Sequence, residues 1–558
     1  MESSFQAFTD RATDNWISIA VLARRIQHGW QERAYQAFKA IEIDRLNETV
    51  RVNPLREDIE WVENWLQEIG AVKIEWFTGV GSAWTLPFPR GKAEGKVKTI
   101  LSALHETGRL TRQEAVSMIP AIALDAKPGD LVLDMCASPG SKTTQIAEHL
   151  EGRGIVMAND IASSRINTLV ANTKRHGSIT PMITHHDGRF IPKVPKTGFD
   201  KILVDAPCTG SATTRKNPDV WEKWLPSGGK SLHKLQLELL VKAINLTKPG
   251  GRIVYSTCSL DPIENEAVIS EILRSDEGIS LIPVSDILAD IPGRSGMTDW
   301  PQLDDLGRIS KQSEAVSSML APTKNSIKKE LKKCLRIWND DVEAGGFFVA
   351  ILEKSEDYNE KNVDYDRFIE PEKVKPDEDN FPQPISSETE EMILNTLGWN
   401  EKNLWIRGKS ILWSTPKAKE IWKSDRSKRS GRTFIPGKRW RPLRVIHLGL
   451  ISAKLQDGKL ERIVGKAAPR MVKNIKHGKS MVSTQVIDEL LSGLEPPAYE
   501  IDLELDKIRG GHILVEENED ICLPVWIGGR VSLMISEQER RILRAKRKLP
   551  IILKIEEE

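Results

Sequence analysis

The sequence predicts an α/β protein built around a mostly parallel, doubly wound sheet. Two observations carry this. Between residues 106 and 355, short apolar runs of strand length alternate with stretches of helical apolar spacing, and alternation of that kind folds as parallel strands joined by crossover helices. Several of the runs end in polar turns rich in Asp, Cys, Pro and Gly, at the sheet edge where open α/β folds bind ligands. A mainly helical region comes before this core and a smaller β-rich region after it.

The elements follow in order. Helical spacing over 16–30 and 59–69 defines the N-terminal region. Strands are expected at 131–134, 154–158, 181–184, 201–204 and 252–255, with a further one at 347–352. Helices are expected at 143–150, 163–175, 232–246 and from 262 to 273; Lys248-Pro-Gly-Gly251 ends the third. Beyond the core, 444–450 and 525–534 read as β-rich and 484–494 as a helix.

The chain has 558 residues, which predicts three or four domains. No apolar run approaches the ~18 residues a membrane span needs, and residues 1–10 lack the apolar core of a secretory signal. The five cysteines are Cys136, Cys208, Cys258, Cys334 and Cys522, with no CxxC pair. A disulfide framework and a structural metal are therefore not expected, and a reducing, cytoplasmic setting is. Formal net charge is +1, from 80 basic and 79 acidic residues. The balance is uneven: residues 353–380 carry 11 acidic and 5 basic residues, and residues 413–444 carry 11 basic and 2 acidic. The acidic stretch also contains Pro371 and Pro376, which marks a linker. The expected division is 1–105 (helical), 106–355 (α/β core), 356–385 (acidic linker) and 386–558 (accessory).

Chemistry concentrates at the strand ends. Asp134-Met-Cys-Ala-Ser-Pro-Gly-Ser-Lys142 lies between a strand and a helix, where backbone N–H groups can receive a polar or anionic group. It is neither a Walker loop nor a GxGxxG fingerprint. Taken alone, it reads equally well as an ordinary βα turn. Asp160, Asp187 and Asp205 end three further strands. A carboxylate after the second strand suits a ribose diol, and Asp187 could accept from an exocyclic amine. His185-His186-Asp187 lacks further ligands at metal-binding spacing. Cys208 in Asp-Ala-Pro-Cys and Cys258 in Ser-Thr-Cys follow the fourth and fifth strands, in polar turns that suit a reactive thiolate better than a buried apolar cysteine.

With these segments together, residues 110–355 resemble the NSUN family of RNA cytosine-5 methyltransferases, and among them the eukaryotic-type tRNA enzymes. The matching segments are Arg112-Gln-Glu-Ala-Val-Ser-Met-Ile-Pro120, Asp134 to Lys142, Asp205-Ala-Pro-Cys-Thr-Gly210, Arg215-Lys-Asn217 and Tyr255-Ser-Thr-Cys-Ser-Leu-Asp-Pro-Ile-Glu-Asn-Glu266. The resemblance implies a Rossmann-like class I methyltransferase fold that uses S-adenosyl-L-methionine, no metal and no membrane. By the same resemblance Cys136, Ala137, Ser138, Pro139, Gly140, Ser141 and Lys142 line the cofactor's methionine part. Asp160 holds the ribose, Arg165 and Asp187 complete the cofactor site, and Asp205 borders cofactor and target base. Cys258 is the nucleophile, and Cys208 assists release.

That chemistry explains the two thiols. Attack of a thiolate on carbon-6 of cytosine makes carbon-5 nucleophilic, an acid at Asp205 would assist at the ring nitrogen, and a second thiol helps eliminate the first. The base must leave its stack to reach the site. The sequence departs from the family at Ser138 and Thr209, in place of alanine and serine, and between residues 335 and 346, where a common Pro-His pair is absent.

The accessory region resembles a PUA-like tail. Its basic tracts, with Lys423, Arg426, Lys428, Arg429, Arg432, Lys438, Arg439 and Arg441 around Trp440, and further runs at 466–479 and 540–548, suit phosphate contact and stacking. The same tracts read otherwise as solvated loops. RNA, with tRNA foremost, is the expected partner. The alternatives are an rRNA cytosine-5 methyltransferase, a DNA cytosine methyltransferase (which needs no Thr-Cys thiol), and a non-catalytic RNA-binding protein with a vestigial pocket.

Overall fold

The computed structural model describes residues 46–550 apart from 214–216, 218–219, 221–224, 226, 277, 292, 303–315, 340, 359–371, 374–380, 427–433, 436–438, 441–442 and 519–520. The helix expected over 16–30, most of the acidic linker, Arg215 and Lys216 of the matched segments, and Lys428, Arg429, Arg432, Lys438 and Arg441 of the basic tract lie outside these residues.

The N-terminal region alternates β1 (Asn47–Val52), α1 (Ile59–Glu68), β2 (Val72–Lys73), β3 (Ser82–Pro89), α2 (Gly95–Glu106) and β4 (Leu110–Arg112). The helix read at 59–69 is α1. The four strands form a sheet, in the order β2-β3-β1-β4, that the helical reading did not include. Two of them are only two and three residues long, too short to show alternation, and β3 carries Pro87 and Pro89.

The core comprises α3 (Ile119–Leu124), β5 (Leu131–Asp134), α4 (Ser141–His149), β6 (Ile155–Asn159), α5 (Ser163–His176), β7 (Pro181–Thr184), β8 (Phe199–Asp205), α6 (Gly229–Leu246), β9 (Thr247–Thr257), α7 (Glu266–Ser275), β10 (Ile279–Ile282), β11 (Arg294–Ser295), α8 (Asn325–Leu331), β12 (Leu335–Ile337) and β13 (Phe347–Lys354). The doubly wound sheet is present as read. Strands β9-β8-β5-β6-β7 are parallel, and β13 joins β9 antiparallel. The chain winds outward from β5 to β7, then returns to β8, so the switch point lies between β5 and β8. Every residue of β5, β6 and β7 is buried, because helices cover both faces. Leu239, Leu240 and Ala243 of α6 pack on one face, and Ile146 and Ala147 of α4 with Ile119 and Ile122 of α3 on the other. Each fully buried Leu or Ile contributes about 1.5–3 kcal/mol.

The C-terminal region supplies β14 (Glu372–Lys373), β15 (Gln383–Pro384), α9 (Ser387–Leu397), β16 (Leu404–Arg407), β17 (Ser410–Trp413), α10 (Pro416–Arg426), β18 (Phe434–Ile435), β19 (Arg439–Trp440), β20 (Val445–Leu448), β21 (Leu450–Gln456), β22 (Lys459–Ile463), β23 (Lys479–Val482), α11 (Thr484–Ser492), β24 (Gly510–Glu516), β25 (Cys522–Ile527), β26 (Val531–Leu533) and α12 (Glu537–Lys546). It is β-rich, as expected, with sheets β15-β16-β17-β21-β22 and β23-β24-β25-β26. Contacts cross the division drawn at residue 386, however. Strand β20 pairs antiparallel with β7 and extends the core sheet, while Ile542 of α12 enters the N-terminal core beside Ile100 and Leu104. Arg109 clamps that second joint, donating to both Glu539 oxygens at 2.8 and 2.7 Å and to Asp58 at 2.7 Å. These pairings span hundreds of residues, a range over which local apolar patterns carry no signal. Among the described residues, no helix is long and apolar enough to cross a membrane.

Candidate active site

Strand β5 ends at Asp134, and the turn that follows leads into α4. Gly140 caps the helix with φ +109°, a conformation that L side chains rarely adopt, and a Cβ there would lie 2.7 Å from Leu169. Thr143 Oγ1 donates to Asp134 Oδ2 at 2.7 Å. Burial pushes the Asp134 carboxyl up to about 7, against that hydrogen bond. Burial, helped by the charges of Asp134, Asp205 and Asp160, likewise raises the Cys136 thiol. Asp160, 3% exposed, accepts from the Ser138 and Ala162 backbone N–H groups at 3.1 and 2.9 Å. Arg165 donates to the Ser138 carbonyl at 2.6 Å. Asp160 and Arg165 thus hold the turn in shape.

This cradle fits the cofactor implied by the sequence. Asp134 Oδ1 and Ser138 Oγ are buried with no partner among the described residues, and unsatisfied buried acceptors and donors of this kind mark a place for a polar ligand. Asp187 sits less freely than expected. Arg189 donates to it from its backbone N–H, Nε and Nη2, at 2.7 to 3.2 Å. Burial acts to raise the Asp187 carboxyl, but these bonds outweigh it and hold it below the ordinary carboxylate range. An exocyclic amine would join an existing ion pair. His185 and His186 are engaged by Arg444: its backbone N–H donates to His186 Nε2 at 2.9 Å, and its guanidinium lies 3.2 Å from His185 Nδ1.

Across the switch point, β8 and β9 run in register with Asp205 beside Ser256. The turns that leave these strands converge, and Cys208 Sγ lies 3.3 Å from Cys258 Sγ. Both are free and half-buried. The hydrogen bond to Cys258, then burial, then the charges of Cys258 and Glu264 raise the Cys208 thiol well above its ordinary value. Either sulfur can donate to the other across this distance.

Two residues take parts that the sequence did not assign. Lys142 was placed in the cofactor turn, but its Nζ donates to Asp205 at 2.7 Å and to Ser117 at 2.9 Å. Burial alone would lower this ammonium; the charge and hydrogen bond of Asp205 outweigh it, and the net shift is upward. Ser256 Oγ donates to the other Asp205 oxygen at 2.8 Å. Asp205, expected to act as an acid, accepts at both oxygens here, and the donor at this point is Lys142. The other unassigned residue is Glu264, behind the cysteines. It lay within the matched segment 255–266 with nothing to mark its role.

Beside Lys142 a cavity of ≈ 940 Å³ opens between the N-terminal sheet and helices α4 and α5, with Arg90, Arg112 and Arg175 among its lining residues. Arg51, fully buried, joins the two sides. It donates to Glu148 of α4 at 2.7 and 3.1 Å and to Thr144 at 3.1 Å.

A doubly wound sheet carrying a glycine-turned cradle at its switch point and carboxylates on successive strand ends defines a class I methyltransferase fold. The family model described as 16S rRNA methyltransferase RsmB/F matches residues 121–353. The tRNA (cytosine(49)-C(5))-methyltransferase of Pyrococcus abyssi is 36% identical over 235 residues, 42% of this chain and 72% of that protein. The chain belongs to the RsmB/F methyltransferase family. It is also 39% identical over 313 residues to the multisite-specific tRNA:(cytosine-C(5))-methyltransferase of Saccharomyces cerevisiae, covering 52% of this chain. With the tRNA (cytosine(34)-C(5))-methyltransferase of Drosophila melanogaster it shares 40% identity over 276 residues, 44% of this chain. The match spans 46% and 37% of these two proteins, about half their length or less.

Proposed function

We propose that this protein methylates carbon-5 of cytosine in RNA, with tRNA as the substrate class. One observation carries the proposal: two free thiols 3.3 Å apart at the ends of adjacent parallel strands, beside an Asp205–Lys142 pair. A DNA-type enzyme needs only the Pro-Cys thiol, and a vestigial pocket needs neither. The names of the relatives favour tRNA, and the family description keeps rRNA as the second reading.

S-adenosylmethionine, when bound in the cradle from Cys136 to Lys142, supplies the methyl group. The chain's own residues do the rest. Cys258 Sγ bonds to carbon-6, and the ring electrons move to carbon-5. Lys142 and Asp205 offer a donor and an acceptor to the polar edge of the ring. After methylation, the carbon-5 proton passes to the Cys208 sulfur, which has given its own proton to solvent. Cys258 then leaves with the electron pair of the C–S bond, and the double bond is restored. The ≈ 940 Å³ cavity, with three arginines in its wall, suits the phosphates that flank a base drawn from its stack. A cytoplasmic setting is part of this reading, supported by a cysteine pattern without a CxxC pair.

The test uses radiolabelled cofactor with tRNA, rRNA and DNA. Label is expected at cytosine carbon-5 of tRNA. Cys258→Ala should abolish both turnover and covalent adduct, whereas Cys208→Ala should accumulate a protein–RNA adduct. The reverse pattern would overturn the assigned roles, and label in DNA alone would overturn the proposal.

A further inference from the structure

Glu264 is completely buried two residues before α7, behind both cysteines, and its carboxylate gathers donors from three segments. From the turn that carries Cys208, the Thr209 backbone N–H donates at 2.9 Å and Thr209 Oγ1 at 2.5 Å. From the turn that carries Cys258, Ser259 Oγ donates to the same oxygen as Thr209 Oγ1. From α6, Gln236 Nε2 donates to Glu264 at 3.0 Å and to the Pro207 carbonyl at 2.9 Å. The residues next in sequence to each thiol are therefore tied to one side chain. A fully buried carboxylate is costly unless its lone pairs are satisfied, and here four donors satisfy them.

Resting on the cytosine-5 methyltransferase reading above, we propose that Glu264 is a positioning residue that yokes the two cysteine turns and holds the Cys208 sulfur in place for the release step. The sequence of events follows from the geometry. While Cys258 is free, the two sulfurs lie 3.3 Å apart and can share a hydrogen bond. Once Cys258 Sγ is bonded to carbon-6 it is a neutral thioether and a poor acceptor. Cys208 then loses its partner and releases its proton to solvent, and the resulting thiolate takes the carbon-5 proton as the Cys258–carbon-6 bond breaks. One proton leaves per methyl group transferred, and both thiols return to their starting states. The ionisable groups facing Cys208 are Cys258, Glu264 and Tyr255, with Asp205 and Lys142 beyond Cys258 and Asp261 beyond Glu264. Of these, Cys258 and Glu264 hold the Cys208 proton on.

The experiment separates attack from release. Attack is read as single-turnover formation of a covalent adduct with 5-fluorocytosine-containing tRNA, in which carbon-5 has no proton to lose. Release is read as kcat on ordinary tRNA and as the fraction of protein trapped on it. Glu264→Gln keeps the shape and removes the charge. Its kcat should fall by about 10- to 100-fold, the usual cost of losing a supporting partner, with adduct accumulating on ordinary tRNA while the attack rate changes by less than about threefold. The kcat–pH profile should also move to lower pH, because the charge that favours protonated Cys208 is gone. Thr209→Val, which removes one hydroxyl and no charge, should show a smaller fall in kcat with no movement of the profile, and it provides the readout if Glu264→Gln does not fold. Equal losses in attack and release with an unmoved profile, or no loss at all, would overturn the yoke. A wild-type protein that forms no adduct with the fluorinated RNA would overturn the methyltransferase reading itself.

Discussion

Replacing Arg51 by methionine should uncouple the N-terminal region from the catalytic helix, at a cost the structure allows to be worked out. Arg51 and Glu148 are both fully buried and joined by two hydrogen bonds of 2.7 and 3.1 Å. The other contact of Glu148 is His176 Nε2 at 2.9 Å. Burial lowers the His176 imidazole, so it is a poor replacement for the lost charge. Removing one partner of such a pair costs about 3–5 kcal/mol, whereas removing both, as in Arg51→Met with Glu148→Leu, should recover part of that, leaving the His176 ring without an acceptor and the Gln113 amide oxygen without its Arg51 donor, at about 1 kcal/mol or more each.

The pH dependence should change sign as well. In the native protein, burial acts to raise the Glu148 carboxyl, but Arg51 and His176 outweigh it, and the net shift is below its ordinary value of 4.5. That contribution is complete above pH 4.5 and is lost as pH falls through the lowered value. In Arg51→Met, burial is unopposed by the guanidinium and the carboxyl rises, so stability should fall as pH increases through the carboxylate range and beyond. Urea unfolding between pH 4 and 8, followed by tryptophan fluorescence, reads both effects. A loss below about 1 kcal/mol in the single variant, or a double variant no more stable than the single one, would refute the assignment.

Three shorter predictions accompany it. Lys142→Met should lower kcat by about 10²-fold or more with little change in RNA affinity, because its ammonium is committed to Asp205; a pure affinity loss, measured by filter binding, would place Lys142 on the phosphate backbone instead. Asp160→Asn should weaken cofactor binding by calorimetry, since an amide cannot accept at both oxygens from Ser138 and Ala162; unchanged affinity would remove Asp160 from the cofactor site. RNA affinity should fall with salt at a log–log slope of about 0.7–0.9 per phosphate contacted, and a flat response would contradict a role for the arginines of the cavity.

The parallel strands were legible because a sheet covered on both faces writes continuous apolar runs, as in Leu131–Asp134 and Ile155–Asn159. The meeting of the two cysteine turns was legible because each follows one of two neighbouring parallel strands. The N-terminal sheet was missed because its strands are short and its strongest periodicity, at residues 59–69, is helical. Lys142 and Glu264 were visible as residue types, but their partners lie 63 and 55 residues away in the chain. A spacing pattern does not report a partner that only tertiary folding supplies. The same holds for Arg109 and Glu539, 430 residues apart.

Strand β20 bears on how the protein comes to be made. The residues that pair with Pro181–Thr184 are the last of the core sheet to leave the ribosome, roughly a hundred residues after β13. Until they emerge, β7 is an open edge with unpaired backbone groups, and such edges recruit other chains. His185 and His186, directly after β7, likewise wait for Arg444. A nascent chain stopped before residue 443 would thus hold Cys208 and Cys258 and yet display an unfinished sheet. The edge of the catalytic sheet is thus covered only once residues 445–448 have been made.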